Sequence, residues 1–318
     1  MFGGKPRVVV EKTVIRENEF FGIEDFSLGG VLGQGNEVYG NGVDLMGNLP
    51  GTLRKPLLEA TETQIVWPDE RYPTLQHAVD ALLPGGRLVL KAGEYEVGLT
   101  IAKELEIIPE EGAQVTLRAR SPRLPVISLV GGAKVLIRDV KITGGQHGLV
   151  LGADAQATVQ NCVISAEEEE GIIIENMAKA MIKSCNIMGR WGVEVWDSGA
   201  VTIKDSLISG DICGLGLQNN GRAEVTECTI SGKDRAIRLL DESQIVINRC
   251  IITNSQIGIR LLGTSKAVVI KSVISKNTTS GVKLEDTAWA RISECTISQN
   301  DTGIELADAS EAIIEGNL

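Results

Sequence analysis

Aromatic side chains make up only 3% of this chain, histidine occurs twice in 318 residues, and no stretch of about 18 apolar residues exists. The missing apolar run excludes a helical membrane span at this level, so no membrane partner is expected. Basic residues are the minority charge, 31 against 42 acidic for a net −11. A phosphate-backbone partner requires a concentrated basic surface, so no nucleic acid is expected either. The six cysteines show no framework spacing, no Cys-x-x-Cys pair and no Cys/His cluster, and neither a metal nor a cofactor is expected. Such cysteine usage fits a reducing compartment, and equally a stable solenoid excised from an exported protein. Met1 to Pro6 lacks the charged-then-apolar layout of a secretory signal and reads as a cut boundary, which leaves localisation open.

What the chain has in abundance is a period. Ile142, Ile164, Ile187, Ile208, Ile230, Ile252, Ile274 and Ile297 follow one another at spacings of 22, 23, 21, 22, 22, 22 and 23. A second ladder runs in step a few residues later: Gly148, Gly171, Gly192, Gly214, Ala236, Gly258, Gly281 and Gly303, each read as a turn. Alternating segments follow these positions (Gly258-Ile-Arg-Leu, Gly281-Val-Lys-Leu) and precede the Ile ladder (Ala223-Glu-Val-Thr, Ala290-Arg-Ile-Ser). Period two means strand, and two or more strands per unit exclude a helical repeat. A unit this short cannot bury its own apolar face, but stacked coils about 4.8 Å apart share one core. The expected fold is all-β, a single-stranded parallel β-helix. A third ladder, two residues before each Ile, reads Val140, Cys162, Cys185, Ser206, Cys228, Cys250, Ser272 and Cys295. Small residues in one inner column predict packed, reduced thiols rather than a redox or metal array.

In chain order, residues 1–48 carry about two rungs, marked by Val8 to Val10, Ile15, Asn36, Val38, and Gly42 to Leu45. Residues 49–72, with Pro50, Gly51, Pro56 and Pro68, read as a linker with a short strand at Gln64 to Trp67. One amphipathic helix is expected over about 73–83, with Leu75, Ala78, Val79, Leu82 and Leu83 on one stripe and Pro84-Gly85-Gly86 as the stop. Strands resume at Arg87, and residues 73–318 form the β-helix proper.

The run Tyr72-Pro-Thr-Leu-Gln-His-Ala-Val-Asp80, followed by Gly86-Arg-Leu-Val-Leu-Lys-Ala-Gly-Glu-Tyr95, resembles the amino-terminal cap and first rung of the pectin-lyase-like right-handed β-helix superfamily, in particular its CASH/NosD-like domains. That resemblance covers residues 73–318. It implies a helix closing the amino-terminal end of the coil, where it protects an unpaired edge, and polysaccharide chemistry as one option. Members are often secreted or periplasmic. The resemblance also names the machinery to look for, and the Asn-Thr-Asp and Asp-Asp motifs, Gly-His-Gly turn and Arg-Ile-Lys segment of its hydrolases are absent. His147 in Gly144-Gly-Gln-His-Gly148 has no Asp-Asp partner following and reads as a turn histidine. Its lyases need several acids converging on Ca²⁺, whereas Asp139, Asp205, Glu227 and Glu294 share a rung position interrupted by Asn161, Ser184, Arg249 and Lys271.

The middle residue of the post-glycine strand, read as facing outward, gives the column Val150, Ile173, Glu194, Gly216, Arg238, Arg260, Lys283 and Glu305. Three basic groups on adjacent rungs need either flanking counter-charges or an anionic ligand. Arg190-Trp-Gly-Val-Glu-Val-Trp196-Asp197 puts two Trp and two acids on one rung, with Trp191 read as a packed corner and Trp196 as exposed. The candidate ligand-binding residues are therefore Trp196, Glu194, Arg238, Arg260 and Lys283, with no catalytic residue and no metal ligand assigned. The reading is a non-catalytic β-helix module, structural or carbohydrate-binding. The alternatives are a lyase or hydrolase acting on an acidic polysaccharide, and a solenoid that assembles end to end. Because residues 1–48 precede a helix expected to close the stack, they are expected to dock at a carboxy-terminal end, the chain's own or a neighbour's. The outcome would be a permuted coil, a domain-swapped dimer or a head-to-tail filament.

Overall fold

The computed structural model describes residues 8–16, 18, 21–25, 31, 32, 34, 36–39, 41, 43–47, 49 and 58–318. Two compact units divide the chain, residues 1–163 with 175–179 and residues 164–174 with 180–318. In the second unit a coil is laid down by three strands. Strand A, for example Arg222–Thr226, is followed by a bend at Glu227, strand B (Thr229–Gly232), strand C (Arg235–Leu239) and a turn at Asp241. The next coil then pairs in parallel, with Arg222 opposite Gln244, Thr229 opposite Ile251 and Arg235 opposite Ile257. Alternation sends Ala223, Val225, Ile230, Ile237 and Leu239 inside, where they are buried. Seven members of the Ile ladder, Ile142 to Ile274, are fully buried, while Ile297 is partly exposed.

Beyond Gly148, which sits at a bend, the glycine ladder does not mark turns. Gly192, Gly214, Gly258, Gly281 and Gly303 all lie inside strands, at the start of strand C. The reason for glycine is space. A Cβ on Gly192 would sit 2.5 Å from the Gly214 carbonyl oxygen and 2.8 Å from a methyl of Ile208. The chain turns instead at left-handed residues that are mostly not glycine. Asp139, Asn161, Ser184, Asp205, Glu227, Arg249, Lys271 and Glu294, the interrupted acid column, have φ between 50° and 59°. Their shared property is a bend between strands A and B.

The Cys/Ser column completes that bend. Each thiol or hydroxyl donates to the carbonyl two residues back, as in Cys228 to Thr226 at 3.2 Å, Cys250 to Asn248 at 3.3 Å and Ser272 to Ile270 at 2.9 Å. All six cysteines are free and buried. Ser272 Oγ also accepts the Cys250 amide at 3.1 Å, and Ser206 Oγ that of Cys185 at 3.1 Å. From Cys162 on a small donor serves each bend, and apolar packing alone does not explain the column, although Val140 heads it without one.

In the first unit, strand A begins with Glu62–Trp67, which pairs with Leu82–Leu90. The expected linker is thus shorter than 49–72 at its far end, and residues 50–57 with Pro50, Gly51 and Pro56 lie outside the described residues, as do Met1 to Pro6 and Gly42. The helix covers Leu75–Ala81, with Thr74 as N-cap. Leu82 and Leu83 already belong to the next strand, and Leu83 is exposed. On the helix, buried Gln76 works as a piece of strand, accepting the Thr100 amide at 2.8 Å and donating to the Thr100 carbonyl at 3.0 Å. That satisfies backbone groups an uncovered edge would leave open. His77 sits at the cap, its Nδ1 2.8 Å from Thr74 Oγ1.

Residues 8–47 form three parallel two-stranded pairs, Val8–Val9 with Val31–Leu32, Val14–Arg16 with Glu37–Tyr39, and Phe21–Asp25 with Val43–Gly47. The docking of this segment corrects the expectation for the chain's own carboxy-terminal end. Val43–Gly47 packs against strands Leu99–Ile101, Ile127–Leu129 and Leu149–Leu151 of the same unit. The Leu45 amide donates to Thr100 Oγ1 at 3.3 Å, and the Leu49 carbonyl accepts from Gly131 at 3.1 Å. Val38, Leu45, Leu49 and Val130 form a buried cluster. The middle residues of those strands, Thr100, Ser128 and Val150, are short and uncharged and nearly fully buried. A second layer can pack on them, whereas the corresponding Lys283 and Glu305 would be costly to cover.

Two stability measurements follow. Ile230→Ala or Ile252→Ala should cost about 2–5 kcal/mol in a denaturant titration, because neighbouring coils prevent collapse around the cavity; a loss under about 1 kcal/mol contradicts the ladder. Ser272→Ala should cost about 1–3 kcal/mol by orphaning the buried Cys250 amide, and equal stability of the two proteins would show that this hydroxyl does not support the bend.

Candidate functional site

Strand C of the second unit carries the predicted column, in register through Glu194, Gly216, Arg238, Arg260, Lys283 and Glu305. It does not face solvent throughout, as expected from the alternation. Val150, Ile173 and Glu194 are buried, and the column opens only from Arg238, whose side chain is 18% exposed, to Glu305 at 37%.

Glu194 is 2% exposed. Its neighbour one coil on is Gly216, where an added Cβ would stand 1.8 Å from Glu194 Oε1, so the carboxylate occupies the room that glycine leaves. Lying across that coil, Oε2 reaches Arg238 two coils away at 3.6 Å and accepts the Trp196 indole N–H at 3.0 Å. The Arg238 guanidinium stacks 4.4 Å from the Trp191 ring centroid. Trp191 is therefore the aromatic floor of the site. Trp196, expected to be exposed, is half-buried with its N–H engaged by Glu194. Two buried atoms here lack hydrogen-bond partners, Glu194 Oε1 and Arg238 Nε. Burial pushes the Glu194 carboxyl up to about 7, against the pull of Arg238 and Trp196, with Glu170 adding to the rise.

The remaining basic residues have counter-charges. Arg260 Nε donates to Glu285 Oε2 at 2.6 Å, and the Lys283 amine lies 3.0 Å from Glu305 and 3.7 Å from Glu285. The Glu305 carboxylate, which also accepts from Ser280 at 2.7 Å, is held below its usual range by Ser280 and Lys283, and Lys283 is held above its own by Glu305. Of the two sequence-level options for three stacked cations, the structure supplies flanking acids. Glu285 and Gly216 were not singled out by sequence. Glu285 falls just past the end of its strand, and Gly216 is recognisable only as the one position in the column without a side chain. The arrangement is a strip of alternating charge, one row per coil, with an aromatic–guanidinium stack at one end.

Elsewhere the predicted residues stay apart. His147 is buried in a turn, its carbonyl accepting the Val126 amide at 3.0 Å. Among the described residues no group of three or more His, Cys, Asp or Glu is arranged to hold a metal ion. A groove of about 680 Å³ in the first unit is floored by Val89, Ile108 and Pro109, and Arg87 on its rim is paired to Glu106 at 2.8 Å. No helix among the described residues is long and apolar enough to cross a membrane.

The family described as "Right handed beta helix region" matches residues 125–209 and 191–318, and the chain belongs to it. Among solved structures, ORF18 of Geobacillus virus E2 aligns over 80% of this chain and 62% of its own at 14% identity and a TM-score of 0.65. The chain thus spans about three fifths of that viral protein. The periplasmic alginate epimerase AlgG aligns over 80% of this chain and 85% of its own, at 13% identity and a TM-score of 0.50. The pectate lyase Pel9A aligns over 81% and 79% at 12% identity and 0.46. At such identities the likeness is one of fold, a pectin-lyase-like right-handed parallel β-helix. No curated protein matches by sequence.

The Glu194 carboxyl makes a testable contribution to stability. Its folded value of about 7 lies above the 4.5 of the free side chain, so the folded state binds the extra proton between those values. The associated stabilisation is present in full below about 4.5 and is lost as pH rises through about 7, amounting to about 3 kcal/mol at most. Denaturant midpoints of the native protein should fall over that window, and those of Glu194→Gln should change less. Identical pH profiles for the two would contradict the buried-carboxyl assignment.

Proposed function

We propose that the chain is a non-catalytic β-helix module that binds polysaccharide along the strip from Trp191 and Trp196 through Arg238, Arg260 and Lys283. The observation that carries this reading is the Arg238 guanidinium held 4.4 Å over the Trp191 ring at one end of the strip. Stacking fixes a flat cation against an aromatic, and such a pair offers hydrogen-bond donors and an apolar surface together, which is the mixture a sugar ring presents in return. Beyond it, rows of Arg260 with Glu285 and Lys283 with Glu305 repeat at about 4.8 Å. A linear ligand lying across the coils meets a donor and an acceptor on each row. Fold-mates named for alginate and pectate make a glycan the natural ligand class to test.

A second reading, hydrolase or lyase, is favoured by one observation: a carboxyl titrating near neutrality is poised for general acid–base work. Against it, Glu194 is 2% exposed, beneath Arg238 and beside Trp196, so its oxygens are shut from a scissile bond.

Titration calorimetry against a panel of neutral and acidic oligosaccharides tests the proposal. Arg260→Ala should weaken binding about tenfold, the equivalent of one charged contact of about 1.4 kcal/mol, without new reducing ends or unsaturated product in any sample. Binding that Arg238→Ala, Arg260→Ala and Trp196→Ala all leave unchanged would place the ligand elsewhere, and cleavage above a blank would favour the enzyme.

A further inference from the structure

The binding strip contains its own competitor for ligand. Glu194 reaches across a whole coil to the Arg238 guanidinium, and it can do so only because residue 216 has no side chain. The pairing is imperfect. At 3.6 Å the contact is an ion pair rather than a short hydrogen bond, and Glu194 Oε1 and Arg238 Nε remain without partners although both are buried. A buried charge pair left half-satisfied is close in free energy to its alternatives, so the proton and an external anion can each displace it.

We propose that Glu194 is an internal counter-ion that gates the strip: ionised, it holds Arg238 and closes the shelf to anions, and protonated, it leaves the guanidinium, still stacked on Trp191, to pair with an acidic group of a glycan. This rests on the polysaccharide-binding reading above and adds the charge of the ligand and the control of its binding. The groups around Glu194 support one-proton behaviour. From the preceding coil Glu170 opposes its ionisation, and just past the end of its own strand Trp196 donates to it. From the following coil come Gly216 and the Cys213 thiol, which burial pushes up and so keeps neutral. From two coils on come Arg238 and, further off, Arg235. The other charges on these strands are engaged, Glu169 by Arg190 at 3.5 Å, Asp211 by Lys233 at 2.6 Å and Arg260 by Glu285 at 2.6 Å. The chain's two histidines, His77 and His147, both lie in the first unit, so a neutral-pH transition in the second unit does not come from a histidine.

The experiment has two arms. In a Trp67→Phe/Trp289→Phe background, emission comes from Trp191 and Trp196, and quenching by iodide, a small anion, is compared with quenching by neutral acrylamide as pH varies. Iodide quenching should rise as pH falls, with a midpoint near 7, while acrylamide quenching stays flat; with Glu194→Gln added, iodide quenching should be high throughout. In the second arm an oligogalacturonate should bind the native protein about tenfold more tightly at about pH 6 than at about pH 8, following the protonated fraction. Its methyl ester should show no such change, nor should Glu194→Gln with the charged oligomer. Iodide quenching that ignores pH, or the same pH dependence of oligogalacturonate binding in Glu194→Gln, overturns the gate while leaving polysaccharide binding intact. The expected iodide behaviour with no oligosaccharide bound at any pH upholds the gate and overturns the polysaccharide reading.

Discussion

Parallel pairing of each strand with the one about 22 residues on is the constraint from which this structure follows. In-register stacking puts like positions of successive coils about 4.8 Å apart, so a residue type is chosen against its own counterparts above and below. At the ladder Ile this means aliphatic on aliphatic in a column that neighbouring coils cannot close around. At the start of strand C the backbones approach so closely that the Gly192 site is bounded by the Gly214 carbonyl and the Ile208 methyl. The single substitution in that ladder, Ala236, is fully buried, which shows that the column resists bulk rather than requiring flexibility.

A coil made only of strands must still turn, and the turns determine where the polar residues go. Backbone groups at a bend point along the stack as well as across it, so each needs a donor or acceptor from its own or the adjacent coil. The thiols and hydroxyls of the Cys/Ser column serve the bend between strands A and B. Carboxylates serve the turn before strand A: Asp241 accepts the Asn219 amide at 3.1 Å, Asp286 that of Gly263 at 2.9 Å and Asp308 that of Asp286 at 3.1 Å. Between strands B and C the same role falls to Asn277 and Asn300. Several aspartates and most of the cysteine in this chain are therefore accounted for by backbone satisfaction, and the interrupted acid column is a row of left-handed bends.

Period and polarity made the coil legible in sequence, because the Ile ladder and the alternating segments are the direct trace of stacking. Three features were not legible, each for a definite reason. Glycine reads as a turn residue by its backbone freedom, yet here it answers a close contact with the next coil, which no local pattern reports. Alternation shows which side of a strand points away from the coil's interior but not whether something lies over it, and so Val150 and Glu194 appeared solvent-facing. The docking of Val43–Gly47 depends on Thr100, Ser128 and Val150 being short and uncharged at one position of three strands, a similarity visible only once the register is known. Of the five candidate ligand residues, Glu194 and Arg238 meet directly, Trp196 joins them through its indole N–H, and Arg260 and Lys283 continue the strip through Glu285.

The position of the site follows from the same stacking rule by exception. A column in which every coil carried a side chain would pair each charge with its nearest neighbours, as Lys283 does with Glu305, and surface pairs of that kind are weak and screened. Removing the side chain at Gly216 opens a gap one coil wide. Glu194 then lies down into that gap, is desolvated by it, and meets Arg238 where water no longer screens the pair. Burial raises the proton affinity of the carboxyl, and the guanidinium it faces is stacked on Trp191. The one position of the column without a side chain thus converts a link of an ordinary surface charge ladder into a buried pair, and it is there that the proposed control of the strip by a proton would act.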